Sequence, residues 1–182
     1  MNPEQRSWLR QAINSDKYWL ENYYQPKTLD PGSVSVEANY HRYLPDTQHV
    51  LVRVSDNAEL AELLRVVVAA AKVGPLAGIS IHPKFLKTNK IDAERLKTLI
   101  GDFELQKETE FDPKITPGIR LILVGLRENR IAKLQANPEL FVLDRLVSKS
   151  GRLMLLAMFR EQSISITQHR FGAIQAELGN LL

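Results

Sequence analysis

Histidine is the side chain in this 182-residue sequence best suited to acid–base or metal chemistry near neutral pH. It occurs four times, as His41, His49, His82 and His169. No pair has the H-x-x-x-H or H-E-x-x-H spacing that places two imidazoles on one helical face, so a helical zinc site is not indicated. The chain contains no cysteine, which excludes its own disulfides, thiolate metal sites and cysteine nucleophiles. Because it also lacks a G-x-S-x-G motif and a paired-carboxylate motif, the sequence carries no catalytic signature.

His82 is placed where α/β proteins often bind ligands. It follows the apolar stretch Leu76–Ile81, which is predicted to be a strand. Ligands of open α/β sheets bind outside the carboxyl ends of the strands. His82 and Lys84 are therefore a candidate nucleotide or small-ligand site. The alternative is a surface or hydrogen-bonded histidine beside a solvated loop lysine.

The region around this candidate site has the pattern of a βαβ unit. His49–Val54 is a β-branched run typical of a strand, and Leu76–Ile81 is a second apolar strand. Between them, apolar residues from Leu60 to Ala71 recur at helical spacing. Asp56 is predicted to cap this helix, Glu59 completes a capping box, and Gly74-Pro75 ends the helix. The unit implies two parallel strands and a right-handed crossover.

The turn after the first strand argues against dinucleotide binding. Its residues, 54–58, read VSDNA, and no G-x-G-x-x-G motif occurs anywhere. Glycine is needed in that turn because the pyrophosphate approaches the backbone closely. Asp56 would place a carboxylate where a phosphate should sit, so we expect NAD to bind weakly or not at all.

The rest of the sequence continues the α/β pattern. Further strands are predicted at Phe103–Thr109 and Arg120–Val124, and further helices after Asp92 and at Arg127–Gln135. Gly151–Arg160 fits either a buried helix or a packed strand. The predicted fold is a Rossmann-like α/β domain over residues 34–182, preceded by a helical segment and loop over residues 1–33.

Both ends of the chain offer candidate interaction surfaces. The amphipathic helix predicted for Ser7–Tyr24 carries both tryptophans, and large aromatics on a surface helix need a cover. Near the other end, Ser163–His169 alternates as a strand does. The candidate interaction residues are Trp8, Trp19, Ile164, Ile166, His169, Arg170 and Phe171. The strand fits either an internal strand of the sheet or an exposed strand that joins another sheet.

The charge pattern bears on partners and location. The 24 basic and 21 acidic side chains are interleaved rather than gathered on one segment, which does not favour nucleic-acid binding. No apolar run approaches the roughly 18 residues needed to span a membrane, and the polar start has no signal-peptide core. We expect a cytoplasmic protein, with self-association left open.

Three stretches together resemble the long forms of the bifunctional proline-catabolic family, proline utilization A. They are Ser7–Tyr24 (SWLRQAINSDKYWLENYY), Glu37–Pro45 (EANYHRYLP) and Arg160–Gly172 (REQSISITQHRFG). The last stretch is also similar to the closing strand of aldehyde dehydrogenases, near their oligomer-forming region.

The resemblance implies a fold and a role. It implies the C-terminal domain of such an enzyme, with a noncatalytic, three-layer α/β sandwich like that of the aldehyde dehydrogenase superfamily. That domain would pack on the L-glutamate γ-semialdehyde dehydrogenase module, in the same chain or a homologous subunit, and help cover the tunnel for the intermediate. NAD and FAD are implied for the parent enzyme, and no cofactor for this chain.

Two features of the chain fit a noncatalytic version. An aldehyde dehydrogenase needs a cysteine for its thiohemiacetal, and this chain has none. The stretch Ile79–Lys84 resembles the strand and Lys-Pro element that contact the adenosine ribose in active relatives, but in altered order.

Overall fold

The computed structural model describes residues 1–25, 37–111, 118–125, 137–144, 147–167, 169–170 and 173–174, with backbone alone for residues 37–38, 169–170 and 173–174. The helices are α1 (Pro3–Trp19), α2 (Leu60–Ala71), α3 (Pro83–Thr88), α4 (Ala93–Ile100) and α5 (Gly151–Leu156). A π-helical turn (Leu20–Tyr24) extends α1, and a 3₁₀ turn (Thr47–His49) precedes β2. The strands are β1 (Glu37–Pro45), β2 (Val50–Val54), β3 (Gly78–Ile81), β4 (Glu104–Leu105), β5 (Arg120–Val124), β6 (Phe141–Leu143), β7 (Phe159–Thr167), β8 (His169–Arg170) and β9 (Ala173–Ile174).

Five strands form a parallel sheet in the order β4-β3-β2-β5-β6. Counted along the chain within this sheet, the order is third, second, first, fourth, fifth, which is the strand order of a Rossmann fold. The predicted Rossmann-like α/β fold with an N-terminal helix is therefore confirmed. The predicted boundary between residues 33 and 34 lies outside the described residues.

The two faces of the sheet are covered differently. Because side chains alternate along a strand, Val50, Val52 and Val54 share one face and Leu51 and Arg53 the other. The first face is packed by the helices, whose buried contributions include Leu63, Val66, Phe85, Leu96 and Leu155. The second face carries a smaller buried cluster of Phe111, Ile119, Leu121, Leu123 and Leu140. The helix predicted at Arg127–Gln135 lies outside the described residues.

The ends of two helices differ from the sequence prediction. α1 begins at Pro3 rather than Ser7, because Asn2 and Gln5 form a capping box. The Asn2 side chain accepts a hydrogen bond from the Gln5 amide at 2.8 Å, and the Gln5 side chain accepts one from the Asn2 amide at 3.0 Å. Asp56 does not cap α2. Glu59 is its N-cap and donates its amide to the Glu62 side chain at 2.9 Å. α2 ends at Ala71, three residues before Gly74.

The later elements follow the prediction unevenly. β5 has the predicted bounds, and Asp92 caps α4 by accepting from the Arg95 amide at 2.7 Å. The predicted strand Phe103–Thr109 is reduced to Glu104–Leu105. The region Gly151–Arg160 is divided between α5 and the first residues of β7.

α1 packs on α2 through a buried ion pair and on α5 through a close backbone approach. Asp16 accepts two hydrogen bonds from Arg65, at 2.7 and 2.8 Å, and both side chains are fully buried. A Cβ at Gly151 would lie 2.6 Å from the Ser15 backbone, so only glycine allows α5 to approach α1 this closely. In the part of the chain that the structure describes, no helix is long and apolar enough to cross a membrane.

β1 and β7 form a separate antiparallel ribbon. Nine residues of each strand pair, from Glu37 opposite Thr167 to Pro45 opposite Phe159. Among the described strands, β7 pairs with β1 and with none of the parallel sheet. Over the described residues, the stretch from Ser163 to Thr167 therefore pairs within its own chain, in this ribbon rather than in the five-stranded sheet.

Candidate functional site

The strand order reverses between β2 and β5, and this point of a Rossmann sheet is where a dinucleotide binds. Here the two turns that follow these strands touch each other. Gly125 has a φ of +81°, and a Cβ added to it would lie 2.5 Å from Ser55 Oγ and 2.7 Å from Ala58 Cα. The Ser55 hydroxyl is also hydrogen-bonded to Asn57 Oδ1. The turn after β2 therefore packs closely against the turn after β5 at this point of the sheet.

The first backbone amide of α2 has a hydrogen-bond acceptor within the chain itself. Its first amide, that of Leu60, donates to Asn89 Oδ1 at 2.9 Å, and the Asn89 amide group donates to the carbonyl of Ala58 at 3.0 Å. The amides at a helix N-terminus are the groups that bind phosphate in nucleotide sites. An asparagine side chain from the end of α3 occupies one of them here.

His82 and Lys84 lie at the carboxyl edge of the sheet, as predicted. The His82 amide donates to the carbonyl of Val54 at 2.9 Å, and its ring Nδ1 accepts from the Lys84 amide at 3.2 Å. The exposed Lys84 ammonium lies 3.9 Å from Asp56 Oδ2. His82 therefore caps the short helix α3, and its use as a ligand residue with Lys84 stays a prediction.

The ribbon shows the predicted alternation of Ile164 and Ile166. Both are half-buried, whereas Ser163, Ser165 and Thr167 on the opposite face are exposed. Ile164 lies opposite Tyr40 and Ile166 opposite Ala38 in β1. The backbones of His169 and Arg170 form β8, but their side chains and Phe171 lie outside the described residues.

The two tryptophans of α1 are both half-buried, and Trp19 contacts the core of its own chain. The Arg152 guanidinium lies over the Trp19 ring, 5.4 Å from its centre, and Tyr23 contacts the same ring edge-to-face. Trp19 is thus partly covered by its own domain. The role of Trp8 and Trp19 in docking stays a prediction.

An aromatic cluster joins α1 to the base of the ribbon. It consists of Trp19, Tyr23, Tyr24, Tyr43 and Phe159. The rings of Tyr24 and Phe159 stack with centres 4.9 Å apart, and Tyr24 donates its hydroxyl to the Arg152 carbonyl at 2.6 Å.

Burial governs the acidity of the two most enclosed tyrosines of this cluster. Burial raises the pKa of Tyr24 to about 12. Burial, and then the hydrogen bond to Tyr23, also raise the pKa of Tyr43 above its usual range. Both phenols therefore remain neutral packing groups near neutral pH.

A polar clamp lies beside the aromatic cluster. We use this name for Arg120 with the groups that it binds: the carbonyls of Ala157 and Phe159 and the carboxylate of Asp46. The Arg120 Nη2 atom lies 3.6 Å from Asp46 Oδ2, and Asp46 Oδ1 lies 2.5 Å from His49 Nδ1. One arginine from the sheet thus contacts both chain segments that lead into the ribbon.

A groove of about 820 Å³, lined by both apolar and charged side chains, opens beside the clamp. Phe141, Leu153 and Leu156 line it and are each about half exposed, which is unusual for large apolar side chains. The sequence analysis did not identify these residues or the clamp. The exposed apolar residues that line the groove come from β6 and α5, and no local sequence pattern predicts that these two elements lie side by side.

One solved structure has a similar fold over nearly the whole chain. It is described as "Structure of Proline Utilization A (PutA) from Corynebacterium freiburgense" and is 24% identical, with a TM-score of 0.58. The match covers 96% of this chain and 15% of that chain. No family model matches this sequence, and no curated protein matches it. At this identity the likeness shows the fold, and it agrees with the fold that the resemblance implied.

Proposed function

We propose that this chain is a noncatalytic domain of a bifunctional proline-catabolic oxidoreductase that converts proline to glutamate. In this proposal it is the C-terminal domain, and it packs on the aldehyde dehydrogenase module to support assembly and cover the tunnel for the intermediate. The observation that carries the proposal is the ribbon of β1 and β7, which lies outside the parallel sheet. The likeness in fold to a part of PutA supports the same context.

The ribbon is suited to bind another protein through its backbone and one apolar face. Among the described strands, each of β1 and β7 pairs only with the other, so each has a second edge that no described strand covers. Such edges join partner sheets by strand addition. The face with Ile164, Ile166 and Tyr40 is half-buried and would gain apolar burial on docking.

The parallel sheet supports a noncatalytic role. The close contact of Gly125 with the turn at Ser55 would leave little room for a dinucleotide phosphate, and Asn89 binds the first amide of α2, a kind of group that binds phosphate in nucleotide sites. The chain offers no thiolate to attack an aldehyde. NAD and FAD would therefore belong to the other modules of the parent enzyme.

Substitution of Ile164 by aspartate tests the docking role. The residue is half-buried on the ribbon rather than in the core, so Ile164→Asp should leave the circular dichroism spectrum and melting temperature nearly unchanged. It should abolish association with a proline utilization A dehydrogenase module, measured by light scattering and pull-down. The matched control is Ser163→Asp, which places the same charge on the opposite, exposed face.

Three outcomes contradict the proposal. If the wild-type chain does not associate with the dehydrogenase module, the ribbon is not the docking element. The same conclusion follows if the Ile164→Asp variant associates with the module as well as the wild-type chain does. If Ile164→Asp unfolds the isolated chain, Ile164 is a core residue. Self-association of the chain in the absence of the module would favour the alternative of a homo-oligomer.

A further inference from the structure

We infer that Arg120 is a positioning residue that sets the direction of the β1–β7 ribbon relative to the parallel sheet. The ribbon is then an arm held in place before any partner binds. The direction is a property of the isolated chain, whereas its consequence for docking rests on the proposed function.

Among the described residues, the contacts that bury the ribbon lie mainly at its base. From Arg160 to Thr167 no residue of β7 is buried, while Phe159 and Tyr43, at the base, are 5% and 7% exposed. A two-stranded ribbon has little stability of its own in water. The contacts at the base must therefore determine where the rest of the ribbon points.

Arg120 is the base contact that comes from the sheet. It is the first residue of β5, a strand between β2 and β6. Its guanidinium donates to the carbonyls of Ala157 and Phe159, just before and at the start of β7. The same group pairs with Asp46, the residue that follows β1. One side chain therefore ties both strands of the ribbon to the sheet.

The surroundings of Arg120 favour a fixed geometry. The side chains of Arg120 and Asp46 are only 20% and 13% exposed, so their attraction is weakly screened by water. The Asp46 amide donates to the Met158 carbonyl at 2.9 Å, which holds the two segments together where they leave the ribbon. A guanidinium has a planar fork of donors and fixes the relative orientation of the groups that it binds.

A preset arm has a functional consequence. A partner that binds a mobile ribbon must first immobilise it, and that loss of freedom lowers the affinity. A ribbon already held by Arg120 avoids most of this cost. Loss of the clamp should therefore weaken docking although no residue of the docking face has changed.

Distance measurement between spin labels tests the inference on the full 182-residue chain without any partner. The chain has no cysteine, so Thr167→Cys on the ribbon and Lys87→Cys on the exposed surface of α3 can be labelled cleanly. The chain with Arg120 should give a narrow distance distribution. Arg120→Gln and, independently, Asp46→Asn should lose that narrow peak while circular dichroism stays native. The matched control is Arg42→Gln, because Arg42 binds Gln162 within the ribbon at 2.6 Å and does not join the ribbon to the sheet.

The outcomes separate this inference from the docking proposal. Broad distributions in both clamp variants, with a narrow one in Arg42→Gln, support it even if no dehydrogenase module binds. A narrow, unshifted peak in Arg120→Gln overturns it, and if that variant does not fold, a narrow peak in Asp46→Asn overturns it. A broad distribution in the chain with Arg120 also overturns it. If neither clamp variant folds, the clamp is needed for the fold itself rather than for the direction of the ribbon, and the inference fails.

Discussion

Replacing Asp16 by alanine should lower the free energy of unfolding by about 4 kcal/mol, because it leaves the buried Arg65 charge without its partner. Both side chains are fully buried between α1 and α2. Of its hydrogen bonds to the described residues, Arg65 would keep the one to the Ser148 carbonyl, at 2.9 Å. The chain would have to bury this guanidinium nearly alone or separate α1 from α2.

The magnitude follows from the bonds that are lost. Asp16 accepts two hydrogen bonds from Arg65, at 2.7 and 2.8 Å. A hydrogen bond to a charged group contributes about 1.5–3 kcal/mol, so two give roughly 3–6 kcal/mol. Breaking a buried pair by removing one partner costs about 3–5 kcal/mol in other proteins. For a chain of this length such a loss lowers the melting temperature by roughly 8–16 °C.

The net contribution of the pair is smaller than the cost of breaking it. Burial raises the pKa of Asp16, and the bonds and charge of Arg65 oppose that rise. Desolvation thus offsets much of the attraction. The double variant Asp16→Leu/Arg65→Met removes both buried charges and should recover most of the stability lost in Asp16→Ala.

Urea denaturation followed by tryptophan fluorescence and circular dichroism measures this effect. Both tryptophans lie in α1, so fluorescence reports on the helix that carries Asp16. The control is Asp102→Ala, which breaks an exposed pair with Lys97 and should change little. A loss below about 1 kcal/mol in Asp16→Ala, or a double variant as unstable as the single one, would refute the argument.

Three further predictions follow from other parts of the structure. Gly125→Ala should lower the free energy of unfolding, measured by urea denaturation, by about 2 kcal/mol or more. The φ of +81° disfavours alanine, and the contacts with Ser55 and Ala58 leave no room for its Cβ. An unchanged urea midpoint would contradict this prediction. The folded state keeps the Tyr24 proton up to about pH 12, whereas the unfolded phenol titrates near 10, so the free energy of unfolding should fall as pH rises from 10 towards 12. Tyr24→Phe should flatten that fall, and an equally steep fall in the variant would count against it. NAD should give no thermal shift and no calorimetric binding at micromolar concentration, because Asn89 binds the first amide of α2 and the turn after β2 lacks the glycines that admit a pyrophosphate. A clear micromolar isotherm would restore the ligand site near the strand ends.

The parts of the fold that depend on local pattern could be predicted from the sequence. The apolar run Arg120–Val124 became β5 with its predicted bounds, because a strand buried on both faces needs a continuous apolar stretch. The stripe from Leu60 to Ala71 became α2, because one face of a helix at that spacing meets the sheet. The N-cap at Asp56 was wrong because Asn89, from another helix, binds the first amide of α2 and favours a start at Leu60.

For the candidate site, too, the local features could be predicted from the sequence and the pairing of distant segments could not. The alternation of Ile164 with Ser163 and Ser165 was visible in the sequence, since side chains of any strand alternate. The partner strand was not visible. Tyr40 and Ile164 are 124 positions apart, and nothing local to either stretch specifies that they pair.

By itself, then, the sequence determined the elements with a strong local pattern, such as α2 and β5, because hydrophobic periodicity acts over a few residues. It also determined that no thiol chemistry resides in this chain. Only the tertiary structure decided that Arg120 meets Asp46, that Asp16 meets Arg65, and that Gly125 lies against the turn after β2. Each of these contacts joins elements distant in sequence, and burial in one shared core brings them together.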